Sequence, residues 1–158
     1  MKILYMGLSK AIVDMLAERT ITAHAMEPAV IEEVIEWIQS DDYEALVVVF
    51  DECSFGNVLP EFLRSKKSNI PLVMAVPTYP HMSWSAMRAD FMERGCDDVI
   101  ANPVHARELG ASLRVIERRM KGQSSDFVTI MHGNVPIVID LARSRVEVNG
   151  LAMRLSSH

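Results

Sequence analysis

The run Leu46-Val47-Val48-Val49-Phe50-Asp51-Glu52 constrains this chain more than any other stretch. Apolar residues of high strand propensity follow one another without alternation and then give way to two carboxylates. A strand with no polar face is covered on both sides, which points to a parallel sheet with helices on each side. In open parallel sheets the functional crevice lies beyond the carboxyl ends of the strands. Asp51 and Glu52 are therefore expected at the mouth of such a crevice.

The 158 residues suit one domain of about 120 residues plus a smaller piece. Nearly half are hydrophobic, enough for a sizeable core. Cys53 and Cys96 are too few for a disulfide scaffold and fit a reducing cytosol, so a cytoplasmic location is expected. No secretory signal and no apolar run of membrane-spanning length occurs, so no membrane partner is expected. Residues 1–120 hold 12 Lys/Arg against 18 Asp/Glu, a balance of −6, whereas 121–158 hold 4 against 3. An acidic first part is a poor nucleic-acid surface.

In order along the chain, Ile3–Met6 reads as a strand closed by Gly7, and Leu8–Arg19 as a helix aligning Leu8, Ile12, Met15 and Leu16. Ile21–Met26 is a second strand. Pro28 suits the first turn of a helix that continues through Val30, Ile31, Val34, Ile35 and Ile38. After the central strand, Val58–Leu63 marks a short helix and Leu72–Val76 a fourth strand. Ser83 is placed to cap a helix that turns Trp84, Met87 and Phe91 inward and stops at Gly95. Val99–Ala101 is a fifth strand, and Ala106–Met120 a last helix carrying Leu109, Leu113, Ile116 and Met120. Five β-α repeats predict a doubly wound α/β sandwich.

Lys121–Asp126 reads as a short polar linker. Beyond it come short strands at Val128–Met131, Val135–Ile139, Val146–Val148 and Met153–Leu155, with turns at His132-Gly133-Asn134, Ala142–Ser144 and Asn149-Gly150. Asn-Gly between two such runs is a strong hairpin signal. A small antiparallel sheet of about thirty residues needs a covering layer to be stable.

Residues 1–120 resemble the receiver domain of two-component response regulators. The resemblance rests on the strand leading to Asp51, Ile70-Pro71-Leu72-Val73-Met74, Gly95-Cys96-Asp97-Asp98-Val99, Asn102-Pro103 and Arg118-Arg119. Residues 127–158 resemble the first sheet of the winged-helix domain in the OmpR/PhoB subfamily, through Ile139-Asp140-Leu141, Arg145-Val146, Asn149-Gly150 and Leu155-Ser156. The resemblance implies a five-stranded sheet of order 2-1-3-4-5. It also implies two-component signal transduction, transcription regulation, and DNA binding by a domain incomplete within this chain. This chain alone is therefore expected to bind DNA poorly, and to be either a piece of a longer protein or a natural short product.

The departures from that pattern carry the functional expectation. A receiver holds Mg²⁺ with an acidic pair after its first strand and a phosphoaccepting Asp after its third. Here Met6-Gly7-Leu8 supplies no carboxylate. The hydroxyl residue expected after the fourth strand falls at Val76, the lysine before the proline after the fifth strand is Asn102, and the aromatic switch is Val99. Mg²⁺ needs a hard, oxygen-rich site, and phosphoryl transfer depends on charge neutralisation. Asp51-Glu52 is accordingly a vestigial phosphoacceptor region, more simply a solvated strand end, and no metal, cofactor or catalytic residue is expected.

Other candidates are weaker. Cys53 with His81 suggests a nucleophile and base but lacks an orienting third group. Cys96 reads as a core filler, and His24, His105, His132 and His158 show no ligand spacing. Within the resemblance, Trp84, Met87, Arg88, Asp97, Asp98, Arg107, Glu108, Leu109, Arg114, Glu117 and Arg118 fall on a possible dimer face, with Ser112 where an interface arginine is common. The expectation is a phosphorylation-independent homodimer. An adaptor contacting other signalling proteins without DNA is the alternative.

Overall fold

The computed structural model describes residues 1–124, 127–140, 145–148 and 151–154. The chain divides into two compact units, Met1–Ile116 and Glu117–His158. In the first, β1 (Lys2–Met6), α1 (Lys10–Glu18), β2 (Thr22–Ala25), α2 (Glu33–Gln39), β3 (Ala45–Val49), α3 (Leu59–Ser65), β4 (Leu72–Pro77), α4 (Trp84–Glu93) and β5 (Asp98–Asn102) alternate; α5 (Ala106–Ser124) follows, its residues up to Ile116 in the first unit and those from Glu117 in the second. The five strands are parallel in the order β2-β1-β3-β4-β5.

The central strand is sealed on both faces, as its unbroken apolar run requires. Leu46 and Val48 join a cluster with Val34 of α2, Leu59 and Leu63 of α3, and Met87 and Phe91 of α4. Ala45, Val47 and Val49 point the other way, toward Leu16 of α1 and Leu109, Leu113 and Ile116 of α5. Each buried Val or Leu contributes roughly 1.5–3 kcal/mol relative to exposure. The strand also ends sooner than the apolar run: Phe50–Glu52 forms a 3₁₀ turn.

Local capping decides where helices begin. Ser9 Oγ accepts from Ile12 N at 3.3 Å, so α1 starts at Lys10 rather than Leu8. Ser83 Oγ caps α4 in the same way through Ala86 N. The helix expected to open at Pro28 opens five residues later. The Glu33 carboxylate reaches back to accept from Ala29 N at 2.7 Å, which folds the approach into a turn, and Val30 is exposed rather than core. Nor does α5 stop for the expected linker: Lys121–Ser124 are helical. One glycine in a helix costs about 1 kcal/mol, too little to end it, and Lys121 pairs with Glu117 one turn back.

In the second unit β6 (Phe127–His132), β7 (Val135–Asp140), β8 (Arg145–Val148) and β9 (Leu151–Arg154) form an antiparallel sheet in that order. Gly133, at φ +64°, turns the β6–β7 hairpin. The turns expected at Ala142–Ser144 and Asn149-Gly150, and Leu155, lie outside the described residues. No helix among the described residues is long and apolar enough to cross a membrane.

Candidate functional site

Two places in the first unit draw on the residues singled out above: the carboxyl ends of β1 and β3, and the groove between α4 and α5.

At the sheet's carboxyl edge, Met6 is the last β1 residue paired with β3, opposite Val48. Asp51 and Glu52 lie past the end of β3 on the 3₁₀ turn, both exposed. Gly7 follows β1 with φ +91°, a conformation that favours glycine. A Cβ there would meet Glu52 Cβ at 2.6 Å, Val49 Cβ at 2.8 Å and Glu52 Cγ at 2.9 Å. The stem of Glu52 thus fills the space in which a side chain at position 7 would stand. Leu8 packs against the α1/α5 cluster. Val76 and Val99 are buried in the opposite cluster, and Asn102, half-buried, pairs with Pro77. A cleft of about 440 Å³ remains beside Gly7, bordered by Glu27 and Glu52 and walled by Met6, Leu8, Met26 and Pro28.

This donor set does not fit a magnesium ion. Gly7, Leu8, Val76 and Val99 offer no side-chain oxygen, and among the described residues the carboxylates here are Asp51 and Glu52 at the end of β3 and Glu27 on the cleft wall. Among the described residues no three of His, Cys, Asp and Glu converge to hold a metal.

Phe50, the first residue beyond β3, was hidden inside the apolar run. Its ring packs on the α2–α3–α4 cluster and meets Phe91 of α4 edge to face, with centroids 5.6 Å apart. An aromatic, not a carboxylate, leaves the central strand at its end.

The second place is a groove of about 600 Å³ between α4 and α5 over β5, lined by Trp84, Arg88, Met92, Glu108, Ala111 and Val115 among others. Met92 and Val115 are 38% and 37% exposed. At its floor the Asp98 carboxylate accepts from Ser112 Oγ at 2.6 Å, Arg88 Nη2 at 2.9 Å and Val99 N at 2.8 Å. Burial alone would raise the Asp98 carboxyl, but these donors outweigh it and hold the pKa below the ordinary value. Ser112, where an interface arginine was anticipated, is buried and closes this network from within.

Several expected face residues lie elsewhere. Met87 and Leu109 are core, because the inward stripes of α4 and α5 carry them against the sheet. Asp97 is a staple rather than a face residue: it accepts from Leu72 N at 2.8 Å and from Arg64 Nη2 at 2.9 Å. Arg114 donates to Arg19 O at the end of α1. Arg107 and Arg118 are exposed on α5, and Glu117 pairs with Lys121.

The Cys53–His81 idea fails on chemistry. Cys53 is buried, which pushes its thiol pKa up, away from what a nucleophile needs, and His81 is exposed in the loop before α4. Burial pushes Cys96 up to about 12.

With this geometry in view, solved structures give a consistent answer. The Francisella response regulator 1452 receiver domain superposes with a TM-score of 0.59 at 18% identity, covering 75% of this chain and 98% of that one. The signal receiver domain of a putative Luxo repressor protein from Vibrio parahaemolyticus gives 0.63 at 13%, covering 78% and 95%. The first unit has the receiver fold. A two-component response regulator from Clostridium difficile adds a TM-score of 0.56 at 24% identity, over 75% of this chain and 97% of that one. No protein-family model matches the sequence, and no curated protein matches it.

Proposed function

We propose that this chain is a phosphorylation-independent response regulator. Its receiver-fold unit serves as a constitutive homodimerisation module for a C-terminal DNA-binding domain that begins with β6–β9, in transcription regulation of the OmpR/PhoB type. The observation that carries the reading is the packing of Glu52 against Gly7. A Cβ at position 7 would overlap the side-chain stem of Glu52, so Gly7 leaves no room for an acidic residue there, although the cleft beside it stays open. Signalling then proceeds by association, and the α4–α5 groove supplies apolar surface at Met92, Val115 and Trp84 for it. Because Asp98 and Arg88 satisfy each other inside one protomer, the interface draws on apolar burial more than on ion pairs between copies.

The test is to add Mg²⁺ and beryllofluoride and to follow mass by sedimentation and Trp fluorescence. A dimer present beforehand and unchanged afterwards supports the reading. A monomer that dimerises on addition overturns it. The acidity of residues 1–120 also favours a second reading, a receiver-fold adaptor for other signalling proteins that never meets DNA. A dimer of the whole protein that binds no duplex sequence would favour that one.

A further inference from the structure

Helix α4 is held from two sides by residues of the β3–α3 segment, and none of these contacts belongs to the groove. On its inner side, the Phe91 ring takes the edge-to-face contact from Phe50 at 5.6 Å and 79°. At its end, the Arg94 guanidinium lies 5.0 Å from the centroid of the same Phe91 ring and donates to Glu61 of α3 and to the backbone oxygen of Asn57. Asp90, one turn earlier on α4, lies 3.8 Å from Arg94. Phe50, Phe91, Arg94, Glu61 and Asn57 therefore form one chain of contacts from the end of the central strand to the last turn of α4.

Successive residues on a helix are 100° apart and rigidly linked. Phe91 faces the core, and its neighbour Met92 faces the groove; Met87 and Arg88 stand in the same relation. Any rotation of α4 that releases Phe91 must swing Met92 and Arg88, and with Arg88 its bond to Asp98. The geometry points to Phe50 as a positioning residue: its contact with Phe91, secured by Arg94, fixes the rotation of α4 and so the shape of the α4–α5 groove. The solvent-exposed turn bearing Asp51 and Glu52 is thereby coupled to the groove through its own first residue. The coupling itself stands on these contacts alone; its consequence for association rests on the dimer reading above.

The experiment uses the full chain with Phe50→Ala, Arg94→Ala and a control, Leu16→Ala. Leu16 is fully buried in the cluster on the other face of the sheet, so its variant loses core packing without touching α4. Amide hydrogen exchange and sedimentation equilibrium are measured for each, with thermal stability recorded alongside. The expected result is faster exchange across Trp84–Glu93 in both Phe50→Ala and Arg94→Ala. Self-association should weaken roughly three- to tenfold, the scale of an edge-to-face aromatic pair. Leu16→Ala should lose at least as much thermal stability while leaving α4 exchange and association at the parent level. The inference is overturned if Phe50→Ala disturbs α4 no more than Leu16→Ala does. If the parent chain does not self-associate, the exchange comparison still decides the coupling, and only the dimer reading is lost.

Discussion

Glu52 and Gly7 share one space: a Cβ on Gly7 would lie 2.6 Å from the Cβ of Glu52. The two residues are far apart in sequence and meet because β1 and β3 are neighbours in the sheet. Gly7 at φ +91° lets the chain leave β1 beneath the 3₁₀ turn, and Glu52 closes over it. An edge that lacks an acid is ordinarily repaired by supplying one. Here the first carbon of the supplied side chain would already overlap Glu52 and Val49.

Gly7→Asp should therefore destabilise the protein by about 2–4 kcal/mol, combining left-handed backbone strain with overpacking. It should not create magnesium binding. Adding Glu52→Gly should recover part of the loss, with Val49 Cβ still 2.8 Å from the new atom. Urea unfolding measures the first effect and calorimetric Mg²⁺ titration the second; tight Mg²⁺ binding by the single variant would refute the packing argument.

Arg64 ties three segments together. Its guanidinium donates to Gly95 O at 2.7 Å, Ser68 O at 2.9 Å, Ile70 O at 3.0 Å and Asp97 at 2.9 Å. Arg64→Met keeps the stem and removes these donors, leaving partly buried carbonyls and the Asp97 carboxylate under-satisfied. A loss of about 2–3 kcal/mol is expected, on the scale of hydrogen bonds involving charged groups. A change below about 0.5 kcal/mol in denaturant unfolding would show that water replaces the arginine.

The Asp98 network sets an acid limit. Its carboxyl is held below the ordinary value in the folded protein, so it binds its proton later on acidification than the unfolded chain does. The resulting stabilisation is fully present above the unfolded pKa of about 3.9 and is lost as pH falls through the lower folded value. Asp98→Asn should flatten that part of the stability–pH curve and leave its slope near neutrality unchanged. Ser112→Ala should cost about 1 kcal/mol near pH 7, and less once Asp98 is protonated. Unfolding curves collected between neutrality and strong acid check both.

What the sequence disclosed follows from what kind of signal each residue gives. β3 was legible because a strand buried on both faces needs an unbroken apolar run, and Ser83 stood where a short polar cap belongs, whereas the cap at Ser9 was missed because Leu8 matched the apolar stripe of α1. The end of β3 was not legible, since Phe50 is as apolar as Val49 and no residue type marks the 3₁₀ turn that begins there. Pro28 misled because its local preference for a helix start was overridden by the reach of Glu33 to Ala29. The absence of acids at Gly7 and Leu8 could be read directly. That Glu52 fills the space could not, because the contact depends on the turn geometry between β3 and α3. On the candidate face, hydropathy placed Met87 and Leu109 inward while the resemblance placed them outward, and the structure sides with hydropathy.

The groove gives the most direct prediction for association. Val115 sits on α5 at the groove wall, partly exposed, so Val115→Glu should alter monomer stability by no more than about 0.5 kcal/mol. In a dimer the same change buries a carboxylate against Met92 or its equivalent and should weaken association by more than about tenfold, as loss of a central apolar contact does. Arg107→Ala, on the exposed side of α5, should leave association near the parent value. The salt response provides an independent reading of the same interface. If Arg88 and Asp98 remain paired within each protomer, few charges are exchanged between copies. Raising ionic strength well beyond 0.1 M, where the Debye length is about 10 Å, should then change the dissociation constant less than about threefold. A dimer that survives Val115→Glu but dissolves in salt would place the interface on the charged residues of α5 instead of the groove.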